Sequence, residues 1–246
     1  HNRFLGLVLP STSSSEIMMH ICEGVERALR NTGHHLLVAV TDWTYERERS
    51  EVARLARAGV TGIVLYPTPR QNEQIRHDYL NAERIDLPIV LVDMATKHQN
   101  RSKICFDNVR AGSKMTELLL DRGHRRLAFV QVNTPDHALA QRSNRDRRQG
   151  FENALRRRRL DPAEMTYWTL QWQGPDRRAE IGALLDAWEA DPERPGAVLA
   201  LEDYTAVLLI QAARARGFEV PGDLTVAGFD DLSLGRSVTP PFPTTH

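Results

Sequence analysis

Short apolar segments recur along the chain, and longer amphipathic segments separate them. Phe4–Leu9 is the first apolar segment, and Ile17, Ile21, Val25 and Leu29 then recur at the spacing of one helix face. The same alternation of strand-like and helix-like patterns continues to the end of the chain. This pattern predicts a protein in which strands and helices alternate.

A helical pattern that ends at a glycine and precedes an apolar strand occurs at Gly33, Gly59, Gly123 and Gly217. Glycine just past a helix readily adopts the left-handed conformation that closes the helix. Strands that alternate with helices at this spacing pair in parallel through right-handed crossovers. The sequence therefore predicts the α/β fold class, with parallel sheets flanked by helices.

Two successive series of these units predict two lobes, which we place at residues 1–106 and 107–246. A helix is expected near Asn72–Glu83 in the first lobe. In the second lobe, Asn133–Asn144 is predicted to be a long polar loop, and Arg145–Arg158 is predicted to be the helix that follows it.

The overall composition is that of an ordinary globular protein, with 41% hydrophobic residues and no run long enough to span a membrane. The 32 basic residues balance 32 acidic ones, so the chain lacks the net positive charge of a nucleic-acid-binding domain. Cys22 and Cys105 both lie in apolar contexts and are expected to be buried free thiols, which favours a cytoplasmic location. No signal peptide is expected before Phe4.

The usual motifs of dinucleotide sites, phosphate-binding loops and serine hydrolases do not occur in the sequence. His20 with Cys22, and His34 with His35, do not have the spacing of a zinc site. We therefore expect no metal, no cofactor and no catalytic residue, and we predict that the chain is not an enzyme.

Polar and aromatic residues instead collect where the predicted strands end, which is where open α/β sheets bind ligands. They are Ser13–Ser15, Asp42, Trp43, Asp93, Glu202, Asp203 and Asp230. Hydroxyls, carboxylates and a flat aromatic face together suit a sugar or a related polyol. Each residue alone also suits a loop or a cap, and Asp230 and Asp231 at the end of Leu224–Ala227 fit either a ligand contact or a turn.

Five segments, in order along the chain, resemble the LacI/GalR family of transcriptional regulators in their effector-binding domain. They are Arg3–Pro10, Asp107–Gly112, Arg122–Phe129, Arg147–Phe151 and Val220–Asp231, the last followed by TPPFPTT. The resemblance implies two Rossmann-like lobes of the periplasmic binding protein type I kind, closing on a small-molecule effector. It also implies a homodimer, a cytoplasmic location and a role in transcription regulation, with sugar binding coupled allosterically to operator DNA.

Carried over by position, the family's ligand contacts fall on Ser14, Ser15, Asp93, Arg147, Trp172, Glu202 and Asp230. The chain departs from the family at Glu202, where the family usually has asparagine. A carboxylate there disfavours an anionic ligand group unless Arg147 offsets its charge. On the same basis, Asp230 is expected to contact the ligand and Asp231 to belong to the local turn.

The resemblance further implies a helix-turn-helix before Arg3 and a return segment after His246, and both are expected to lie outside this chain. Operator DNA would then be contacted only through the helix-turn-helix. A periplasmic sugar-binding protein of a transporter shares the fold and stays open as an alternative.

Overall fold

The fold was analysed in a computed structural model, which describes residues 3–11, 16–68, 78–81, 85–93, 101–133, 138–171 and 176–245. Contacts between residues divide the chain into two compact units. Unit 1 contains His1–Phe106 and Asp136–Leu139, and unit 2 contains Asp107–Pro135 and Ala140–His246.

Unit 1 is built on a five-stranded parallel sheet in the order β2-β1-β3-β4-β5. Its strands are β1 (Phe4–Leu9), β2 (His35–Val40), β3 (Ile63–Leu65), β4 (Ile89–Val92) and β5 (Ser102–Ile104). Its described helices are α1 (Glu16–Leu29), α2 (Tyr45–Arg57) and a 3-10 turn at Asp78–Leu80. Leu7–Leu9 of β1 and both Ile63 and Leu65 of β3 are buried, as expected for central parallel strands.

Unit 2 is built on a four-stranded parallel sheet in the order β7-β6-β8-β9. Its strands are β6 (Leu127–Asn133), β7 (Thr166–Gln171), β8 (Ala197–Ala200) and β9 (Thr225–Ala227). Its helices are α3 (Asn108–Asp121), α4 (Ala138–Arg157), α5 (Arg177–Glu189), α6 (Asp203–Ala215) and α7 (Ser233–Arg236), with a 3-10 turn at Pro162–Glu164. Every residue of β8 is fully buried, so this strand is the centre of the core.

The predicted left-handed glycines all have positive φ, from 72° at Gly33 to 92° at Gly123. In α2, α3 and α6 the glycine follows the last helical residue by two positions, which is the predicted closing position. After α1 that position belongs to Asn31, which also has a positive φ of 67°. Asparagine tolerates this conformation better than most residues, so it substitutes for glycine there.

The predicted loop at Asn133–Asn144 is wrong over most of its length, because α4 already begins at Ala138. The polar residues that suggested a loop fit a helix here. Arg142 is exposed to solvent, and the buried Asn144 donates from Nδ2 to the backbone oxygen of Val132 at 2.9 Å. Most of the helix predicted near Asn72–Glu83 lies outside the described residues.

The two cysteines differ in burial. Cys22 is partly buried on α1, but Cys105 is exposed, so the expectation of two buried thiols is wrong for Cys105. Cys105 follows β5, the edge strand of its sheet, where Ile104 and Phe106 are exposed as well. No helix in the described part of the chain is long and apolar enough to cross a membrane.

Helices α3 and α4 cross with their backbones in close contact, and a glycine on each helix makes this possible. A Cβ on Gly150 would overlap the backbone oxygen of Val109 and lie 2.7 Å from the backbone nitrogen of Ser113. A Cβ on Gly112 would overlap the backbone oxygen of Arg147. The hydroxyl of Ser113 donates to the backbone oxygen of Gly150 at 2.9 Å, which closes the contact.

Gly150→Ala is expected to destabilise the protein by roughly 3 kcal/mol, because the clash is with backbone that cannot rotate away. Gly24→Ala is the matched control, since a methyl group added at this exposed position on α1 would have no atom within 4 Å. The control is expected to stabilise α1 by about 0.5–1 kcal/mol. Urea denaturation of both variants measures the difference, and equal midpoints would contradict the close helix crossing.

Candidate functional site

Four of the seven residues predicted to contact a ligand lie in described parts of the structure. Asp93 follows β4 in unit 1, while Arg147 on α4, Glu202 after β8 and Asp230 after β9 belong to unit 2. Ser14, Ser15 and Trp172 lie outside the described residues. The structure therefore brings together Arg147, Glu202 and Asp230 at the carboxyl edge of one sheet, and their role as ligand contacts stays a prediction.

Arg147 ties three chain segments together at this edge. Its Nε donates to Oδ1 of Asn108 at 2.9 Å, its Nη1 donates to the backbone oxygen of Leu201, and its Nη2 donates to Oδ1 of Asp230 at 2.9 Å. The guanidinium also lies 4.4 Å from the centre of the Phe229 ring. The side chains of Arg147 and Asp230 are each 15% exposed, so the pair is mostly shielded but still reaches the surface.

Asp230 keeps one carboxylate oxygen available. Its Oδ1 accepts from Arg147, its backbone nitrogen donates to the backbone oxygen of Thr245 at 2.7 Å, and its φ is 93°. Within the described chain, Oδ2 has no hydrogen-bond partner. Asp231 instead pairs with Arg236 at 2.7 Å and takes part in the following turn. The two adjacent carboxylates therefore have different surroundings, and only Asp230 is held by Arg147.

Glu202 occupies the N-cap position of α6 but makes no capping hydrogen bond. Its Oε1 accepts from Nη1 of Arg177 at 2.8 Å and from the hydroxyl of Thr205 at 3.0 Å. Arg177 lies 5.2 Å from the centre of the Tyr204 ring, and its side chain is 14% exposed. The cation beside Glu202 is therefore Arg177 rather than Arg147, and the sequence prediction had not included it.

In unit 1, aromatic and carboxylate groups meet at the corresponding carboxyl edge. The hydroxyl of Tyr66, after β3, donates to Oδ2 of Asp93 at 2.7 Å. The Trp43 ring packs edge-on against the Tyr66 ring, with 6.3 Å between the ring centres. Asp93 and Trp43 both have positive φ, at 66° and 57°. Tyr66 is thus a further candidate contact, and its place at the end of a predicted strand was the signal for it.

A buried glutamate, Glu48, holds the segment after β3 in place through hydrogen bonds. Glu48 on α2 is fully buried, and its carboxylate accepts from the backbone nitrogen of Thr68 and from the hydroxyl of Tyr79. Thr68 in turn shares a hydrogen bond of 3.2 Å with the hydroxyl of Thr41. These contacts hold the segment after β3 against the end of β2. Among the described residues, no group of three or more His, Cys, Asp or Glu side chains could hold a metal ion.

Residues 116–246, more than half of the chain, match the periplasmic binding protein-like domain. The transcriptional repressor PurR of Vibrio cholerae is 28% identical over 244 residues, which is 99% of this chain and 69% of the repressor. The ribose operon repressor of Haemophilus influenzae is 26% identical over 240 residues, which is 98% of this chain and 68% of that protein.

The chain belongs to the LacI/GalR family, as its effector-binding domain. The fold agrees, because a solved periplasmic binding protein/LacI transcriptional regulator from Alkaliphilus metalliredigens, complexed with D-xylulofuranose, superposes with a TM-score of 0.70. That likeness covers 98% of this chain and 83% of the other at 20% identity. The family resemblance and the predicted class of two Rossmann-like lobes are therefore confirmed.

In this LacI/GalR effector domain, the carboxylates of Glu202 and Asp203 face different surroundings. Asp203 is fully buried and accepts from the backbone nitrogen of Leu232 at 2.9 Å and from the hydroxyl of Thr244 at 2.7 Å. It thereby ties α6 to the segment after β9 and to the last residues described. Asp203 is too deeply buried to contact a ligand, although the sequence grouped it with residues that suit one.

A cavity of about 590 Å³ lies elsewhere in unit 2 of the effector domain. Its lining includes His124, Val220, Thr225, Pro241 and Phe242 and is mostly apolar. Arg147, Glu202 and Asp230 do not line it. Its polar side chains are Arg122, His124 and Thr225, and it contains no carboxylate, so the carboxyl edge with Asp230 and Glu202 is the better candidate for a hydroxyl-rich ligand.

Burial raises the pKa of Asp203 to about 6, with smaller contributions from the nearby charges of Asp230 and Asp231, against the opposing hydrogen bonds from Thr244 and Leu232. The unfolded carboxyl titrates near pH 4, so between about pH 4 and pH 6 the folded protein keeps a proton that the unfolded chain releases. This group therefore makes the folded protein less stable as the pH rises through that window.

Asp203→Asn is expected to remove this contribution. The difference in free energy of unfolding between the variant and the original protein should therefore shift in favour of the variant by about 2 kcal/mol as the pH is raised from 4 to 7. Urea denaturation at both pH values measures the change, and any pH-independent effect of the lost charge cancels in the comparison. If the stability of the Asp203 variant depended on pH in the same way as that of the original protein, the raised pKa of Asp203 would be contradicted.

Proposed function

We propose that the chain senses a small sugar, polyol or sugar-acid-like effector for a bacterial transcription regulator. The observation that carries this proposal is the Arg147–Asp230 pair at the carboxyl edge of unit 2. It is mostly shielded from water, it is held in place by Asn108 and the backbone of Leu201, and it keeps Oδ2 of Asp230 open. Such a pair offers both donors and acceptors to a ligand that carries hydroxyl groups.

The relatives also support a transcription regulator that senses a small sugar-like molecule. Two of them are repressors by name, one of a ribose operon, and a structure of the same fold is complexed with D-xylulofuranose. We propose a repressor whose effector is a sugar or related polyol, and that this chain is not an enzyme. The carboxyl edge of unit 1, with Tyr66 and Asp93, is proposed as a second ligand-contacting edge, together with Ser14 and Ser15. Trp172 is proposed as a contact of unit 2.

The coupling to DNA is proposed to be allosteric. An effector that binds one conformation better than another shifts the balance between them, and a coupling of about 1–3 kcal/mol is typical. The balanced charge of this chain gives it no general attraction for phosphates, so operator DNA is proposed to bind through a helix-turn-helix domain. We propose that the regulator acts in the cytoplasm as a homodimer.

Asp230→Asn tests this assignment, because it keeps the shape of the side chain and removes the charge that holds Arg147 and the ligand. Sugars and polyols are first screened by thermal shift, and calorimetry then measures the affinity of those that bind. The variant is expected to lose roughly 10- to 100-fold in affinity, as one hydrogen bond to a charged group is worth about 1.5–3 kcal/mol.

Asp231→Asn is the matched control, since this neighbour also has a positive φ, of 47°, and also pairs with an arginine, yet faces the turn. The control should bind the ligand with unchanged affinity. Equal affinities in the two variants would reject Asp230 as a contact, and a screen in which no sugar or polyol binds would reject the proposed class of effector.

A further inference from the structure

We propose that Arg177 is a specificity-determining residue, which pairs with Glu202 so that this edge accepts a neutral, hydroxyl-rich ligand and rejects an anionic one. The inference rests on the proposed function and narrows its class of effector to neutral sugars and polyols. It follows from the charges and hydrogen bonds at the carboxyl ends of β8 and β9.

The charges at this edge are balanced in pairs. Arg147 lies 2.9 Å from Asp230, and Arg177 lies 2.8 Å from Glu202. The side chains of these four residues are only 14–22% exposed, so water and salt screen the two pairs less than they screen surface pairs. Each cation therefore lies beside a carboxylate before any ligand arrives, and the negative charge of that carboxylate offsets the attraction of the cation for an anion.

Each of the two carboxylates keeps one oxygen atom without a partner among the described residues. Oε1 of Glu202 is taken by Arg177 and Thr205, while Oε2 has no partner among the described residues. Oδ2 of Asp230 likewise has no hydrogen-bond partner among the described residues. Both atoms are acceptors only, so a ligand has to bring donors to them, as a hydroxyl group does. A carboxylate or phosphate group on the ligand has no donor for these two acceptors and would place its negative charge beside theirs.

Arg177 and Glu202 each offset the charge of the other at this edge. Arg177 is held over the Tyr204 ring at 5.2 Å, and the buried Thr205 orients Glu202. If Glu202 were neutral, as in the usual family pattern, Arg177 would stay at the edge with one carboxylate fewer beside it and would attract anions more strongly. If Arg177 were neutral, Glu202 would be a partly buried carboxylate without a matching charge. The pair is therefore what makes the edge selective for neutral ligands.

Glu202→Gln, Arg177→Gln and the double variant test this pair, with inorganic phosphate as the anionic probe. Phosphate should leave the thermal midpoint of the original chain unchanged and raise that of Glu202→Gln, with an affinity gain of roughly tenfold or more. The double variant should lose the gain, because Arg177 is then absent. Asp231→Asn is the control, because it removes the carboxylate that pairs with Arg236, an arginine whose side chain is 64% exposed. Its affinity for phosphate should increase little.

Matched neutral and acidic probes complete the experiment: D-ribose with D-ribonate, and D-glucose with D-gluconate. In the original chain the neutral member of a binding pair should bind more tightly, and Glu202→Gln should shift the preference toward the acid. Circular dichroism confirms folding, and Arg177→Met replaces Arg177→Gln if the latter does not fold.

Two results would overturn the proposal: phosphate or a sugar acid stabilising the original chain through Arg177, or Glu202→Gln gaining no affinity for phosphate. The phosphate measurement does not depend on the effector being a sugar. If no neutral probe binds and Glu202→Gln still gains phosphate affinity, the proposed function fails while the charge pair stands.

Discussion

The carboxyl edge of unit 2 depends on the three hydrogen bonds of one mostly shielded arginine. Arg147 carries a permanent charge, so its donors have to be satisfied where water reaches them poorly. Asn108, the backbone of Leu201 and Asp230 do this from three separate segments. The position of Arg147 depends in turn on the close crossing of α3 and α4, since its backbone oxygen lies where a side chain on Gly112 would be. A packing constraint thus sets the geometry of a polar site.

The two charge pairs at this edge contribute orientation more than stability. Removing an arginine and a carboxylate from water costs free energy that their mutual attraction returns only in part. The pairs fix the orientation of the carboxylates of Asp230 and Glu202. Adjacent carboxylates at the start of α6 show the difference: Glu202 accepts from Arg177 and is 22% exposed, while Asp203 is buried and accepts from Leu232 and Thr244. The first shapes a surface and the second joins chain segments.

Much of the fold could be predicted because each unit repeats one local rule, an amphipathic helix, a residue of positive φ and an apolar strand. Errors arose where polar residues had a partner that the sequence does not reveal, as with Asn144 bonded to Val132 inside α4. Asp230 was singled out by its place at the end of a predicted strand, and the family resemblance added Arg147 as a candidate. Arg177 was not found, because its contact with Glu202 spans 25 residues and depends on which strands end side by side. The order β7-β6-β8-β9 is a tertiary property that no local pattern contains.

Preformed pairs also bear on how an effector domain binds reversibly. Arg147 and Arg177 are already held by carboxylates, so little side-chain entropy remains to be lost when a ligand arrives. A ligand of the proposed class would supply donors to Oδ2 of Asp230 and Oε2 of Glu202. Each such hydrogen bond yields a modest net free energy, so affinity grows with the number of well-placed hydroxyls. An edge built this way distinguishes ligands by the pattern of their donors.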